Sequence, residues 1–457
     1  MLFFLLLCIL PTNLIKYVCC VVYVQLLILP AVFLRQSCSK SLLFLKTFIY
    51  YLSFRNKQFS GFNMKDYMNY IRPFVHYENN TKYKSFNFSL LSYNVLAQEL
   101  LEKNAFLYDW SDVRVLEWNY RRQLLLNEIK RFNADIICFQ EVQESHLSWF
   151  FKKLSDLGYN GVYKKRTHVH SDGCAIYYKN DKFTLKEKVT VEYNQPGVNV
   201  LDRDNVGIVL RLSPRQYDEE NIIVSTTHIL YNKKRHDIKL AQVHLLLAEI
   251  ERVSYKGVGD RNIPEYYPII LTGDFNLEPN TAVYDFLING ALYYSNLQKP
   301  TLWSQNNQSG RSDMGNELIP KSLGITEYSQ HSDILELRKK NNNKRQINDG
   351  LYSKLYHSER KNDQLLSSSL PEFKSGTGNV YHNLKFSSVY NNNISCSTYH
   401  DRWTIVDYIF YTNKNLKLRT LMKLPNVAEC QPIVAMPNKV SPSDHLPLFA
   451  KFSYQIK

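Results

Sequence analysis

Two rhythms of apolar and polar residues run along the chain between positions 86 and 303. Short apolar runs read as buried strands: "FNFSLLSYNVLA" from residue 86, "ADIICFQEV" at 134–142, "GCAIYYK", "VGIVLRL", "NIIVSTTHIL" and "YPIILTGDFN". Between them, "NYRRQLLLNEIKRF" at 119–132, "SHLSWFFKKLSDLGY" and "HDIKLAQVHLLLAEIERV" repeat apolar residues at helical spacing. Strands that alternate with helices predict an α/β fold, in which rigid strands aim loop residues at a common point. Polar groups sit repeatedly at the ends of these runs.

The rhythm stops at about 304 and resumes at about 382. "NNQSGRSDMGNELIPK", "KKNNNKRQINDG" and "QLLSSSLPEFKSGTG" are rich in Asn, Ser, Lys and Gly and have little periodicity. Such segments bury too little apolar surface to fold alone, so 304–382 is expected to be a largely disordered insertion. Structure is expected again at "LKFSSVY", "WTIVDYIFYT" and "SPSDHLPLFAKFSY".

Residues 1–54 differ from the rest. "YVCCVVYVQLLILPAVFL" at 17–34 carries no charge and approaches the length of a bilayer span. No basic n-region or clean cleavage site accompanies it, which favours an uncleaved anchor over a signal peptide. Arg35, Lys40 and Lys46 follow the span and would leave the downstream domain in the cytosol. The alternative is that translation starts at Met64, with the apolar segment outside the working protein. The expected organisation is therefore a hydrophobic segment at 1–54, a linker at 55–85 and one domain at 86–457.

Charge adds a partner class. Lys and Arg outnumber Asp and Glu by 56 to 42, a net charge of +14, which suits a polyanion such as RNA. Lys164, Lys165, Arg166, Lys233, Lys234 and Arg235 border expected strand-end loops and are candidate RNA contacts. The eight cysteines, Cys8, Cys19, Cys20, Cys38, Cys138, Cys174, Cys396 and Cys430, include no CxxC pair. That argues against a zinc site or a disulfide framework and for a reducing compartment. A monomer is expected.

Asn94 in "SYN", Glu141 in "FQEV", His228 in "TTHIL", Asp274 and Asn276 in "GDFN", Asp407 in "IVDYIF" and Asp444-His445 in "SPSDHLPL" make one chemical sense together. Mg²⁺, for which Mn²⁺ can substitute, takes few protein oxygens and keeps several waters. Glu141, Asn94 and Asp444 are the candidate ligands. Phosphoester hydrolysis needs a group to orient and deprotonate water and donors for charge developing on phosphorus. Asp274 and Asn276 offer both. His445 would contact the phosphate, with Asp407 fixing its tautomer and favouring its charged form, and His228 would approach from the other side. Gly273 and the residues after Asn276 read as turn punctuation.

"SYN", "QE", "TH", "GDFN", "VDYI" and "SDHLP" occur in the order of the endonuclease/exonuclease/phosphatase superfamily, which the chain resembles over about 86–303 and 383–455. "SYNVLAQELLEKN", "LDRDNVGIVLRL" and "THILYNKKRHDIKLAQ" are most similar to the Angel proteins, relatives of the poly(A) deadenylases. The resemblance implies a deoxyribonuclease I-like four-layer sandwich, two mixed β-sheets packed face to face with helices outside. It also implies Mg²⁺ at Glu141, chemistry at Asp274, Asn276 and His445, phosphate contacts from Asn94 and His228, and no nucleotide cofactor. Asp172 resembles a family position near the substrate, whereas His168 and His170 read as loop residues. The activity implied is removal of 2′,3′-cyclic phosphate from RNA ends. Poly(A) shortening is the alternative, followed by a membrane-anchored lipid phosphodiesterase of the sphingomyelinase type and a non-catalytic RNA-binding adaptor.

Overall fold

The computed structural model describes residues 63–78, 84–259, 263–298, 302, 314–346, 377–390 and 394–456, with side chains undescribed at 341–346. Met64–Lys457 forms one compact unit. The apolar segment at 17–34 lies outside the described residues, and among those described no helix is long and apolar enough to cross a membrane.

In chain order, the first strands are β1 (Phe74–His76), β2 (Ser85–Asn94), β3 (Ile136–Gln143), β4 (Tyr159–Lys165) and β5 (Asp172–Lys179). The middle of the chain contributes β6 (Phe183–Glu192), β7 (Val206–Pro214), β8 (Ile222–His228) and β9 (Ile269–Asp274). The last are β10 (Phe386–Ser388), β11 (Asp407–Thr412), β12 (Leu416–Met422) and β13 (Leu448–Gln455). The longer helices are α1 (Met64–Ile71), α2 (Trp118–Phe132), α3 (His236–Ser254), α4 (Ala282–Asn289) and α5 (Ser332–Gln346).

One sheet has seven strands in the order β1-β12-β13-β2-β3-β5-β4, and the other has six in the order β10-β11-β9-β8-β7-β6. Each is mixed, with one parallel pair, β2 with β3 and β8 with β9, inside antiparallel neighbours. Alternate residues of the first sheet face opposite ways. Leu90, Ile136, Cys138 and Ile176 join the core shared with the second sheet, while Leu91, Ile137, Phe139 and Ala175 pack with Leu125 and Ile129 of α2. Burial on both faces explains why these strands read as unbroken apolar runs. The four-layer α/β sandwich implied by the family resemblance is the fold observed.

Helix α3 is buried from His236 to Ala248 without a break, polar residues included. A helix buried all round must be covered on both sides. The cover comes from the stretch at 304–382, whose described part departs from the expected disorder. Glu251 of α3 accepts hydrogen bonds from Gln330 Nε2 at 3.0 Å and Arg338 Nη1 at 2.9 Å, and His244 Nδ1 meets Ser329 Oγ at 2.9 Å. A hairpin, Ile325–Thr326 with Gln330–His331, and α5 are thus anchored on α3. Their polar composition hid this, because they dock through hydrogen bonds rather than apolar stripes. Residues 303–313 and 347–376 lie outside the described set.

The expected linker at 55–85 also carries structure where it is described. Strand β1 pairs with β12, and Tyr67 of α1 donates to the Glu429 carbonyl at 2.8 Å. Gly273 is a strand residue rather than turn punctuation, pairing with Thr227 of β8 and Tyr408 of β11. Its φ is +149°, and a Cβ there would stand 2.1 Å from the Thr227 carbonyl oxygen. Glycine is required because two backbones meet immediately before Asp274.

Candidate active site

The ends of the two parallel strand pairs meet at one edge of the sandwich. Strand β2 ends at Asn94, opposite Gln140 of β3, and β9 ends at Asp274, opposite both His228 of β8 and Asp407 of β11. Where β3 pairs with β5, its register slips between Phe139 and Val142, and Glu141 adopts φ +58°. This bulge re-aims the carboxylate toward Asn94. Leu96 at φ +55° and Asn276 at φ +48° are likewise left-handed. Non-glycine residues in that region cost free energy and persist only where neighbours hold them.

The holding bonds are explicit. Asn94 Oδ1 accepts from Leu96 N at 3.0 Å, Glu141 Oε2 from Ala97 N at 3.0 Å and Asp274 Oδ1 from Asn276 N at 3.0 Å. Asn276 Nδ2 donates to the Ile229 carbonyl at 3.1 Å. The side chain of Asn276 therefore braces the loop after β8, while its backbone fixes Asp274.

Asp274 is the centre of the cluster. Around its Oδ2 stand Asn94 Nδ2 at 3.0 Å, His228 Nε2 at 3.5 Å and His445 Nε2 at 3.6 Å. Asn94 Nδ2 also donates to Glu141 Oε1 at 2.9 Å. His445 Nδ1 meets Asp407 Oδ2 at 2.8 Å, which turns Nε2 toward the cluster. Burial opposes charge on His445, but the carboxylates of Asp407, Asp444 and Asp274 raise its pKa well above the usual imidazole value. Burial likewise works against ionisation of Asp274, and His228 and His445 outweigh it, so its pKa is lowered. Burial raises the carboxyls of Glu141 and Asp407. The result is a buried acid surrounded by convergent N–H donors, an arrangement suited to a tetrahedral phosphate.

Six of the expected positions, Asn94, Glu141, His228, Asp274, Asp407 and His445, therefore converge directly. The expected cation ligands fare differently. Glu141, His228 and Asp274 form one group able to hold a metal ion, and Asp274, Asp407 and His445 form another. Asn94 turns its amide N–H groups toward the two carboxylates, while its Oδ1 accepts from Leu96 N. Asp444 Oδ2 accepts from Tyr108 Oη at 2.9 Å and groups with His400 and His445 instead. Spacing along the chain revealed that these residues approach, not which atom each presents.

Asp172 opens β5 opposite Gln143 but is tied to Arg166, whose Nε donates to Oδ1 at 3.0 Å. Its carboxylate is thus matched to a cation rather than offered to an anion. His168 and His170 are loop residues as expected, both paired with Asp204. Of the six candidate RNA-contacting cations, five have partners within the chain: Lys164 with Glu192, Lys165 with the His168 and His170 carbonyls, Arg166 with Asp172, Lys233 with Asp401 and Arg235 with Asp237. Their charge is largely matched locally, which the bare excess of basic residues did not reveal.

Sequence reasoning missed the supports. Ser397 Oγ donates to Asp407 Oδ2 at 2.6 Å, and Ser443 Oγ donates to the Asn94 carbonyl at 2.7 Å. Lys239 is buried in α3 and its Nζ donates to the Asn276 carbonyl at 2.6 Å. A lysine in an apolar helical run was the available signal. Burial lowers its pKa to about 8. Between pH 8 and 10.5 the unfolded chain keeps a proton that the folded chain has released, so Lys239 makes stability rise with pH there. In urea titrations the gain over this window is expected to be on the order of 3 kcal/mol larger for the wild type than for Lys239→Met. Parallel curves for the two proteins would rule it out.

Residues 91–445 match the Endonuclease/Exonuclease/phosphatase family. Protein angel homolog 2 of Homo sapiens is 35% identical over 398 residues, covering 81% of this chain and 70% of the relative. The same protein of Danio rerio is 34% identical over 394 residues, covering 80% and 64%. A crystal structure of ANGEL2, described as a 2′,3′-cyclic phosphatase, superposes with a TM-score of 0.68 at 34% identity, covering 84% of this chain and 98% of that one. A complex of ANGEL2 with adenosine-2′,3′-vanadate aligns with the same score. The chain belongs to the endonuclease/exonuclease/phosphatase family, among the angel proteins.

Proposed function

We propose that this protein is a Mg²⁺-dependent hydrolase that removes 2′,3′-cyclic phosphate from RNA ends. The convergence of Asn94, His228 and His445 on Asp274 carries the reading, supported by the likeness to a structure described as a 2′,3′-cyclic phosphatase. The donor set fits a hard cation. Glu141 and Asp274 offer buried carboxylate oxygens within one group, and the nearby charges of Asp444 and Asp172 further disfavour ionisation of Glu141 unless a cation balances it. Glu141 and Asp274 would hold the ion, with water filling its other positions. When bound, it supplies Lewis-acid polarisation of a phosphoryl oxygen.

The chain's own residues do the rest. Asp274 orients the attacking water and takes its proton, and the Asn276 backbone amide fixes the carboxylate that does so. His445 holds a proton at Nε2 for the phosphoryl oxygens while Asp407 holds Nδ1. Asn94 Nδ2 and His228 Nε2 supply further donors for the charge that builds on phosphorus.

The test is a pair of RNA oligonucleotides, one ending in a 2′,3′-cyclic phosphate and one in an adenosine tract with a free 3′-hydroxyl. Turnover is expected on the first alone, lost on chelation and restored by Mg²⁺. Shortening of the adenosine tract with no loss of cyclic phosphate would overturn the assignment in favour of a deadenylase.

A further inference from the structure

We propose that His400, Asp444 and His445 form a zinc site, separate from the two carboxylates assigned to Mg²⁺, at which Zn²⁺ inhibits the enzyme by occupying Nε2 of His445. The ligand atoms of these three residues all lie within 4.8 Å of one another. His400 Nδ1 stands 3.5 Å from Asp444 Oδ2. That is close to the ligand–ligand edge of about 3.4 Å in a zinc tetrahedron with bonds of roughly 2.1 Å. The His400 and His445 rings have centroids 5.9 Å apart and cross at 79°. Asp407 engages His445 Nδ1, which leaves Nε2 as the nitrogen for a metal.

His400 is both held and reachable. It lies in the turn of a hairpin in which Thr398–Tyr399 pairs with Trp403–Thr404. The first arm is fastened to the segment that carries the other two ligands. Thr398 bridges to His445, and the Asp444 carbonyl accepts from Thr398 Oγ1 at 2.9 Å and from Tyr399 N at 3.1 Å. On the other side Asp401 pairs with Lys233 at 2.9 Å, and the Tyr231 ring stands 5.8 Å from that of His400. The His400 side chain is 20% exposed, so solvent reaches it. Its Nδ1 is nevertheless buried and has no hydrogen-bond partner among the described residues. A buried ring nitrogen left in this way costs free energy until something binds it. Tyr108 Oη donates to Asp444 Oδ2 at 2.9 Å, the kind of outer partner that orients a metal-binding carboxylate.

The donor set selects the metal. Two imidazoles and one carboxylate suit Zn²⁺, whereas Mg²⁺ takes oxygen. The other two groups able to hold an ion, Glu141–His228–Asp274 and Asp274–Asp407–His445, each offer one imidazole and two carboxylates. Three protein ligands leave the fourth position of the tetrahedron to water. Binding is a ligand exchange, in which Zn²⁺ takes the lone pair of His445 Nε2 and the proton held there passes to solvent. That proton is the one assigned to the phosphoryl oxygens, so bound zinc and turnover exclude each other. Spacing along the chain gave no sign of the site, because His400 is distant from Asp444 and His445 in sequence and meets them only through the hairpin.

The test titrates the full chain with ZnCl₂ in saturating Mg²⁺ and reads three signals: zinc affinity against a competing fluorescent chelator, the imidazole resonances, and turnover on the cyclic-phosphate RNA. Expected are one tightly held zinc per chain, shifts at His400 and His445 but not at His228, and loss of turnover that a zinc chelator reverses. His400→Ala should keep its Mg²⁺-supported turnover and bind zinc about 100-fold more weakly, the upper end of what losing an outer partner alone costs. Equal zinc affinity in wild type and His400→Ala overturns the proposal. So does a zinc that shifts His228 and leaves His400 unmoved, or one that binds at His400 without slowing turnover. The turnover reading rests on the proposed function, whereas the affinity and the resonances do not, so a protein inactive on this RNA with Mg²⁺ alone still tests the site.

Discussion

Replacing Asp274 by Asn is expected to lower kcat on cyclic-phosphate RNA by about a thousandfold, within the range for loss of a general base. Its carboxylate is where the arrangement converges. Asn94 Nδ2 and the Asn276 backbone amide each donate to it at 3.0 Å, and the imidazoles of His228 and His445 face it. Asparagine is nearly isosteric, but it cannot accept a proton and offers one acceptor oxygen in place of two. It also leaves His228 and His445 facing a neutral group and removes one of the two oxygens assigned to the cation. KM should change far less than kcat, because the lost interaction matters most as the water is deprotonated. The core strands are untouched, so the variant should fold, with a melting temperature within a few degrees of wild type. Turnover within tenfold of wild type, measured in a folded Asp274→Asn protein, would show that this carboxylate only supports the site.

Arg121→Met should destabilise the domain by about 3–5 kcal/mol, the cost of breaking a buried, fully bonded ionic group. Arg121 lies on α2 and is fully buried. Its Nη1 donates to the Val95 carbonyl at 3.1 Å and the Pro442 carbonyl at 2.9 Å, and its Nη2 to the Leu96 carbonyl and Gln98 Oε1, both at 2.9 Å. One guanidinium therefore joins the loop after Asn94 to the loop before Asp444 and His445. Burial lowers its pKa only to about 10, so it is charged at neutral pH. Methionine fills similar space but leaves these acceptors unpaired in the interior. Lysine can reach some of them but lacks the planar fork, so Arg121→Lys should fall between the two. Urea unfolding gives the free energies. Turnover of the folded fraction should fall as well, since Leu96 would lose part of what holds its left-handed backbone. A loss of less than 1 kcal/mol in Arg121→Met would mean that the two loops are secured elsewhere.

The strands and helices were legible because burial on both faces leaves continuous apolar runs, and because α2 and α3 carry apolar residues at helical spacing. The polar residues at the strand ends were legible for a related reason. A carboxylate such as Asp407, placed in an apolar run, has to find a partner, and it finds His445 and Ser397. The order of "SYN", "QE", "TH", "GDFN", "VDYI" and "SDHLP" then pointed to a family whose fold the structure reproduces.

What the chain's linear order could not express was orientation. Residue identity placed Asn94 at the site, but only the Leu96 amide turned its oxygen away and its N–H groups inward. The bulge that aims Glu141, the close approach that demands glycine at 273 and the guanidinium bridging residues 95 and 442 all depend on segments distant in sequence. The part of the polar insertion that covers α3 is of the same kind, since its anchors are single hydrogen bonds to Glu251 and His244 without a periodic signature. Composition and periodicity determined which elements form and which residues reach the edge of the sandwich, because hydrophobic burial is non-directional and leaves a periodic pattern within each element. Which atoms meet there was decided by tertiary structure, because hydrogen bonds are directional and their partners are set only once the sheets have packed.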